Sequence, residues 1–126
     1  MPFTIDDDVS PTYIVINMLG LINDDTLTDY LAEIFLIPGF PTKDQLVDYS
    51  SVTEYRVSSQ GLADFSAAVV ASESERNART DRRIACVVPE DITFGMGRVF
   101  LVQIDNLPAS YKIFRTRPEA LAWLNL

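Results

Sequence analysis

Short apolar runs rich in β-branched residues alternate along this chain with segments whose apolar residues recur at helical spacing. Strands are predicted at residues 3–9, 13–19, 45–49, 84–88 and 111–114, and helices at residues 24–36, from residue 58 onward, at 91–105 and from residue 117 onward. Alternating strands and helices favour a mostly parallel sheet with helices on both faces. Ser10, Pro11 and Thr12 separate the first two strands and predict an N-terminal β-hairpin. We therefore expect an α/β fold with a mixed, mostly parallel five-stranded sheet.

The length and composition of the chain fit one domain with its own apolar core. A chain of 126 residues is the usual size of a single domain, which we expect to span residues 1–126. Because 48% of the residues are hydrophobic, the core needs neither a metal nor a disulfide. The predicted core residues occupy the inward positions of strands and helices: Ile14, Ile16, Leu31, Ile34, Leu46, Val69, Ile84, Cys86, Val88, Phe100, Phe114 and Trp123.

Local signals mark where the elements end. Residues 23–25 (Asn-Asp-Asp) can cap the first helix, and residues 116–119 (Thr-Arg-Pro-Glu) match a capping box. Residues 50–51 (Ser-Ser) predict a polar turn after the third strand. Residues 72–83 hold four arginines and three acidic residues, and such a charge-balanced run predicts a solvated connection.

The residue types exclude several classes of function. With no histidine and one cysteine, the chain has neither the common zinc geometries nor a His-based catalytic triad, so we expect no metal, no cofactor and no intrachain disulfide. Ten basic against eighteen acidic residues give a net charge of −8, the wrong sign for binding nucleic acid. Cys86 lies in an apolar run and is expected to act as a small buried hydrophobe.

Compartment signals favour the cytoplasm. The first eight residues hold three consecutive aspartates and no Lys or Arg, unlike a secretory signal. The longest apolar runs fall short of the roughly 20 residues that a membrane span needs. We therefore expect a cytoplasmic protein without a membrane span.

Several segments resemble one family of small bacterial proteins. They are residues 84–91 (Ile-Ala-Cys-Val-Val-Pro-Glu-Asp), 94–100 (Phe-Gly-Met-Gly-Arg-Val-Phe) and 119–124 (Glu-Ala-Leu-Ala-Trp-Leu). In these segments, and in the order of its predicted elements, the chain resembles the uncharacterised SpoIIAA-like, or STAS-like, proteins. The resemblance implies a small sheet wound with helices, akin to anti-sigma-factor antagonists and CRAL-TRIO lipid carriers. It implies no established activity.

Two serines at the start of the second helix are candidate phosphoacceptors. In the antagonist branch of the resembled family, a phosphorylatable serine stands in an Asp-Ser-Ser-Gly-Leu motif after the third strand. The matching residues 56–62 here read Arg-Val-Ser-Ser-Gln-Gly-Leu, without the aspartate and with one extra residue before the glycine. Ser58 or Ser59 could take that role, and each could also simply cap the helix.

The third predicted helix contains a second candidate site. Gly95 and Gly97 could let the backbone approach an anion or small ligand, with Arg98 supplying positive charge. The alternative is close packing, in which small residues seat the helix against the sheet or against a second copy of the chain. Met96, Val99 and Phe100 would then supply the apolar contacts of a homodimer.

The sequence favours a non-enzymatic regulatory or protein-interaction module, acting on a protein partner or on a second copy of itself. The alternative is a carrier of a small apolar or lipid-like ligand held between helix and sheet, suggested by the aromatic residues. An enzyme would have to rely on carboxylates such as Asp48 with Glu54 or Glu90, together with Arg98. We expect no catalytic residues.

Overall fold

The computed structural model describes residues 2–7, 12–37, 39–75, 82–89, 98–102 and 110–125. Within them, five strands form a sheet in the order of the chain, and β1 pairs antiparallel with β2 while the other neighbours pair parallel. The strands are β1 (Phe3–Asp6), β2 (Tyr13–Asn23), β3 (Asp44–Arg56), β4 (Arg83–Val87) and β5 (Ser110–Phe114). The predicted mixed five-stranded sheet is confirmed.

Four α-helices accompany the sheet in the described part of the chain. They are α1 (Asp24–Ile34), α2 (Ser59–Glu75), α3, described over residues 98–102, and α4 (Arg117–Leu124). Parallel strands that follow one another in chain order, joined by right-handed crossovers, carry their connecting helices on one face of the sheet. Phe100 of α3 agrees with this, because its ring lies 5.4 Å from that of Phe65 in α2.

The two faces of the sheet bury separate apolar clusters. Under α1 and α2 the buried residues include Ile14, Ile16, Met18, Ile22, Leu27, Ile34, Val47 and Ile84. On the opposite face, Ala120 and Leu124 of α4 pack in one buried cluster with the strand residues Val15, Leu46, Ala85 and Val87. Successive strand residues point to opposite faces, so each run of apolar residues supplies both clusters. Helices therefore cover both faces, as predicted.

The predicted turn at residues 50–51 is wrong, because β3 continues through it. Relative to β2, β3 contains one extra residue at each of two register shifts. Asn17 pairs with Asp48 but Leu19 pairs with Ser51, which marks the first shift, and the second follows at Gly20. The Asp48 carboxylate accepts a hydrogen bond of 2.8 Å from the backbone N–H of Ser50 at the first irregularity. A bulge of this kind interrupts the ladder without ending the strand.

The helix caps differ between the first and last helices. Asn23 caps α1 in a capping box with Thr26: the Thr26 N–H donates to Asn23 Oδ1 at 2.9 Å, and the Asn23 N–H donates to Thr26 Oγ1 at 3.1 Å. The box predicted at residues 116–119 does not form. The Thr116 hydroxyl donates to the Glu119 carboxylate at 2.7 Å and makes no cap bond to the described helix backbone.

The predicted core is fully buried in its centre and partly buried at its margins. Of the predicted residues, Ile14, Ile16, Ile34, Leu46, Ile84 and Val88 are buried. The others, Leu31, Val69, Cys86, Phe100, Phe114 and Trp123, are only partly buried. These side chains line a cavity on the α1–α2 face or stand at the rim of the α4 cluster.

Candidate functional site

The amino-terminal ends of α1 and α2 lie side by side at one edge of the sheet. β2 ends at Asn23 and β3 ends at Arg56, and these two residues are paired in the sheet. Each helix begins within three residues of its strand, so both helix N-termini meet at the carboxyl edge of the parallel strands. This edge brings Asp24 together with Ser58 across 34 positions of sequence.

Asp24 and Ser58 are joined by two hydrogen bonds. The Ser58 hydroxyl donates to Asp24 Oδ2 at 2.6 Å, and the Ser58 backbone N–H donates to Asp24 Oδ1 at 2.8 Å. The hydroxyl oxygen in turn accepts a hydrogen bond of 2.9 Å from the backbone N–H of Gly61. Ser58 therefore caps α2, which was one of the two roles predicted for it. Ser59 is the first residue of α2, and both serines are exposed.

The hydrogen bonds set the electrostatics of this cluster. The two bonds from Ser58 stabilise the ionised carboxylate and lower the pKa of Asp24 below its ordinary value of 3.8. Nearby, burial and the Asp24 charge together raise the pKa of Tyr55 to about 12. An aspartate whose pKa is lowered is a weak base at neutral pH, so the pair is poorly suited to activate the serine as a nucleophile.

Of the residues predicted to form the anion site, the structure describes only Arg98. Gly95 and Gly97 lie outside the described residues, and Arg98 is an exposed residue of α3. Phe100 packs inward, with its ring 6.1 Å from that of Tyr111, so it is not part of an exposed face. The ligand contact stays a prediction.

The carboxylates considered for catalysis are held by arginines. Asp48 is buried and accepts a bond of 2.9 Å from the guanidinium of Arg117. Glu54 accepts one of 2.6 Å from Arg56, its neighbour on the same strand, and Glu90 lies outside the described residues. Across the described residues, no three Cys, Asp or Glu side chains group closely enough to hold a metal ion.

A cavity of about 100 Å³ lies between the sheet and the helices α1 and α2, which is where the alternative interpretation of the sequence places a small apolar ligand. Its walls are mainly apolar, but Gln45, Ser72 and Arg82 also line it, and each is buried. The prediction of a solvated connection over residues 72–83 is therefore wrong at both ends. Arg82 is only 1% exposed, and α2 extends to Glu75.

Burial also affects the titratable groups of the cavity. It raises the pKa of the Cys86 thiol to about 12 and raises the pKa values of Tyr30 and Tyr49. Their ordinary pKa values of 9 to 10 already lie above physiological pH, so all three groups are neutral there. Among the described lining residues, Arg82 is the one that carries a charge there.

Comparison with known proteins identifies the fold. No protein-family model and no curated protein sequence matches the chain. Solved structures do match it, among them two with the same fold. One is an uncharacterised protein of the DUF3478 family with a SpoIIAA-like fold from Shewanella loihica, with 16% identity and a TM-score of 0.56 over 97% of this chain and 93% of that one. The other is the anti-sigma factor antagonist SpoIIAA in its unphosphorylated form, with 12% identity and a TM-score of 0.59 over 98% and 97%.

Proposed function

We propose that this chain, which has a SpoIIAA-like fold, is a non-enzymatic regulatory module of the cytoplasm whose binding to a partner protein depends on phosphorylation of Ser58. The observation that carries the proposal is the exposed Ser58 hydroxyl at the start of α2, bonded to Asp24 of α1. The same fold in an anti-sigma factor antagonist supports the class of function.

A phosphate on Ser58 would disrupt the contact between the N-termini of the two helices. It adds a charge of about −1.5 to −2 at neutral pH and removes the hydroxyl proton that Asp24 accepts. The N-terminus of α2 favours the phosphate, but the adjacent Asp24 carboxylate repels it. Phosphorylation would therefore displace Asp24 from the start of α2, which changes the surface at this edge of the sheet.

The outer face of α2 is the surface that we assign to the partner. It presents a stripe of small apolar side chains, Ala63, Ala67, Val70 and Ala71, one to three turns beyond Ser58. Val70 is 36% exposed at the centre of the stripe. A partner that covers this stripe would also reach the N-terminus of α2, where it would contact Ser58 in either its phosphorylated or its unphosphorylated form.

The first test maps phosphate on the protein isolated from its native host. Mass spectrometry is applied to the parent protein, to Ser58→Ala and to Ser59→Ala, the matched control one residue away. We expect phosphate on the parent and on Ser59→Ala, and none at this helix start in Ser58→Ala. Phosphate confined to Ser59, or absent from the parent under every growth condition, contradicts the proposal.

The second test compares partner retention by quantitative mass spectrometry of host lysate. The baits are the parent, Ser58→Asp, Ser59→Asp, Val70→Glu and Leu36→Glu, the last a control at an apolar side chain that is 77% exposed elsewhere on the surface. We expect one protein whose retention changes with Ser58→Asp and Val70→Glu but not with the two controls. Equal retention by all five baits contradicts the assigned surface.

Self-association through α3 is a second interaction that we propose. Val99 and Val102 of this helix are 46% and 76% exposed, and apolar side chains at the centre of a contact favour a homodimer. Analytical ultracentrifugation should show a dimer for the parent and a monomer for Val102→Glu. A monomeric parent protein would contradict the proposed self-association.

A further inference from the structure

The cavity under α1 and α2 has a polar end formed by uncharged side chains. Gln45 is the second residue of β3, so it lies at the amino-terminal edge of the parallel strands. Ser72 lies in the last turns of α2 and Tyr30 in the second half of α1, and both helices run toward that same edge. The cluster of Asp24 and Ser58 is at the opposite edge, so the cavity is separate from the proposed switch.

These three side chains are buried without a hydrogen bond to another described residue. Tyr30, Gln45 and Ser72 are 6%, 6% and 7% exposed, and all three line the cavity. The Tyr30 ring packs against Phe3 and Phe65, but no described residue is hydrogen-bonded to its hydroxyl, to the Gln45 amide or to the Ser72 hydroxyl. The large majority of buried polar side chains in proteins have such a partner. Three that lack one at a single cavity indicate that they bind a molecule there.

The Tyr30 hydroxyl, and not only its ring, lies beside the cavity. Burial raises its pKa, and the nearby Cys86 and Arg82 side chains, which also line the cavity, act on it through their charges. Arg82 already has a partner of its own in the protein, so we assign it no part in binding. The groups available to a ligand are therefore neutral.

The rest of the cavity is a wall of aliphatic and aromatic side chains. It includes Leu31, Ile34, Val47, Phe65, Val69 and Phe100. Apolar cavities bind apolar groups, as an engineered cavity of about 150 Å³ binds benzene. A volume of about 100 Å³ limits such a group to a short aliphatic chain.

We propose that this cavity binds a small neutral amide with a short aliphatic tail, its head on Gln45, Tyr30 and Ser72 and its tail against the apolar wall. A primary amide both donates and accepts, so it can form two hydrogen bonds with the Gln45 amide, while the two hydroxyls can donate or accept. A charged head would lose its hydration among neutral groups that restore little of it. The tail gains van der Waals contacts with the aliphatic wall.

The experiment is a titration of the full-length protein with butanamide, followed through the NMR signals of the protein methyl groups. We expect saturable shifts at Val69 and Ile84, which line the cavity. We expect none at Val15 and Leu124, which belong to the cluster under α4 on the other face of the sheet. The positions of the shifts thus locate the ligand.

Two related compounds separate the head from the tail. Butanoate keeps the tail and the shape of the head but carries a charge, whereas acetamide keeps the head and loses two methylene groups. Each should bind about tenfold or more weakly than butanamide, because one loses hydration without a counter-ion and the other loses apolar contact.

Gln45→Leu and Gln60→Leu form a matched pair of variants. Gln60 makes the same change outside the cavity, since it is an exposed residue of α2 whose amide donates to Asp64 at 2.8 Å. Gln45→Leu should lower the butanamide affinity by about tenfold or more, and Gln60→Leu should leave it unchanged. Val69→Phe, which fills the cavity and keeps Gln45, should abolish binding and covers the case in which Gln45→Leu does not fold.

Several results would overturn the proposal. They are an absence of shifts at the cavity methyl groups with butanamide at tens of millimolar, and binding of butanoate or acetamide as tight as that of butanamide. An affinity unchanged by Gln45→Leu would show that the amide head is not held as proposed. Butanamide binding that survives Val69→Phe would place the ligand elsewhere and would overturn it as well.

Discussion

The Asp24 carboxylate of α1 fills the space in which a side chain at position 61 of α2 would lie. A Cβ built on Gly61 would overlap the carboxyl carbon and both oxygens of Asp24. Gly61 leaves the space that this carboxylate occupies, although a glycine inside a helix costs about 1 kcal/mol relative to alanine. The glycine and the hydrogen bonds between Asp24 and Ser58 form one unit.

Gly61→Ala should have opposite effects in two backgrounds. In Asp24→Ala the space is vacant, so the alanine should stabilise the fold by about 1 kcal/mol through helix propensity. In the parent protein it must displace Asp24 from Ser58, so that gain should be cancelled or reversed. Urea unfolding of the four proteins of this double-mutant cycle measures the difference. Equal effects in both backgrounds would show that Asp24 moves aside without cost.

The lowered pKa of Asp24 predicts an acid-dependent loss of stability. Because the folded-state pKa lies below the ordinary value of 3.8, the ionised carboxylate stabilises the fold above that value. This contribution should disappear as the pH falls through the folded-state pKa. Urea unfolding between neutral and acidic pH should show a shallower acid dependence for Asp24→Asn than for the parent.

Two further variants identify the cause of that dependence. Ser58→Ala removes the hydroxyl bond and should shift the pKa of Asp24 back toward 3.8, which NMR titration of the carboxyl carbon measures directly. Asp25→Asn is the control, since it removes the same charge from the same helix turn. If Asp25→Asn flattened the acid dependence as much as Asp24→Asn, the helix dipole and not Ser58 would be its source.

The sequence predicts the fold because its local patterns agree with each other. Periodicity identified every strand and α-helix of the described part, but β2 and β3 were predicted to end at residues 19 and 49, whereas they continue to Asn23 and Arg56 through the bulge that places polar residues inside β3. The position of Ser58 was predicted as a helix cap, but its contact with Asp24 joins residues distant in sequence and follows from the pairing of β2 with β3. No local pattern contains that information.

Arg82 shows why the polar part of the cavity lining was missed. In composition, residues 72–83 are charge-balanced, which is typical of a solvated connection. The strand that follows alternates between the two faces, so one of the adjacent arginines, Arg82 and Arg83, had to approach the α1–α2 face. A predicted β4 that began at Arg83 would have indicated that Arg82 and Arg83 approach opposite faces of the sheet. The volume of the cavity depends on three-dimensional packing and has no sequence signal.

The Cys86 thiol should be unreactive in the folded protein. It lines the cavity, and burial raises its pKa to about 12, so the nucleophilic thiolate is scarce at physiological pH. Alkylation by iodoacetamide at mildly alkaline pH, followed by mass spectrometry, should be slower by orders of magnitude in buffer than in urea. A native rate close to that of the unfolded chain would mean that the cavity opens frequently to solvent.

The closing helix should depend more on Leu124 than on Trp123. Leu124 is 4% exposed within the cluster under α4, so Leu124→Ala should cost about 2–5 kcal/mol of unfolding free energy. Trp123 is only partly buried at the rim, where its ring lies 5.7 Å from that of Phe114 and 5.6 Å from the Arg83 guanidinium. Trp123→Ala should therefore cost about 2 kcal/mol, less than the loss of a fully buried tryptophan.

Urea unfolding of both variants tests this order. The backbone carbonyl of residue 123, which accepts a hydrogen bond from Arg83, is kept in Trp123→Ala, so the variant reports on the ring alone. Arg83→Met is the companion that removes this bond and the contact with the ring together. A larger loss for Trp123→Ala than for Leu124→Ala would mean that the tryptophan ring, and not the inward face of α4, anchors the helix to the sheet.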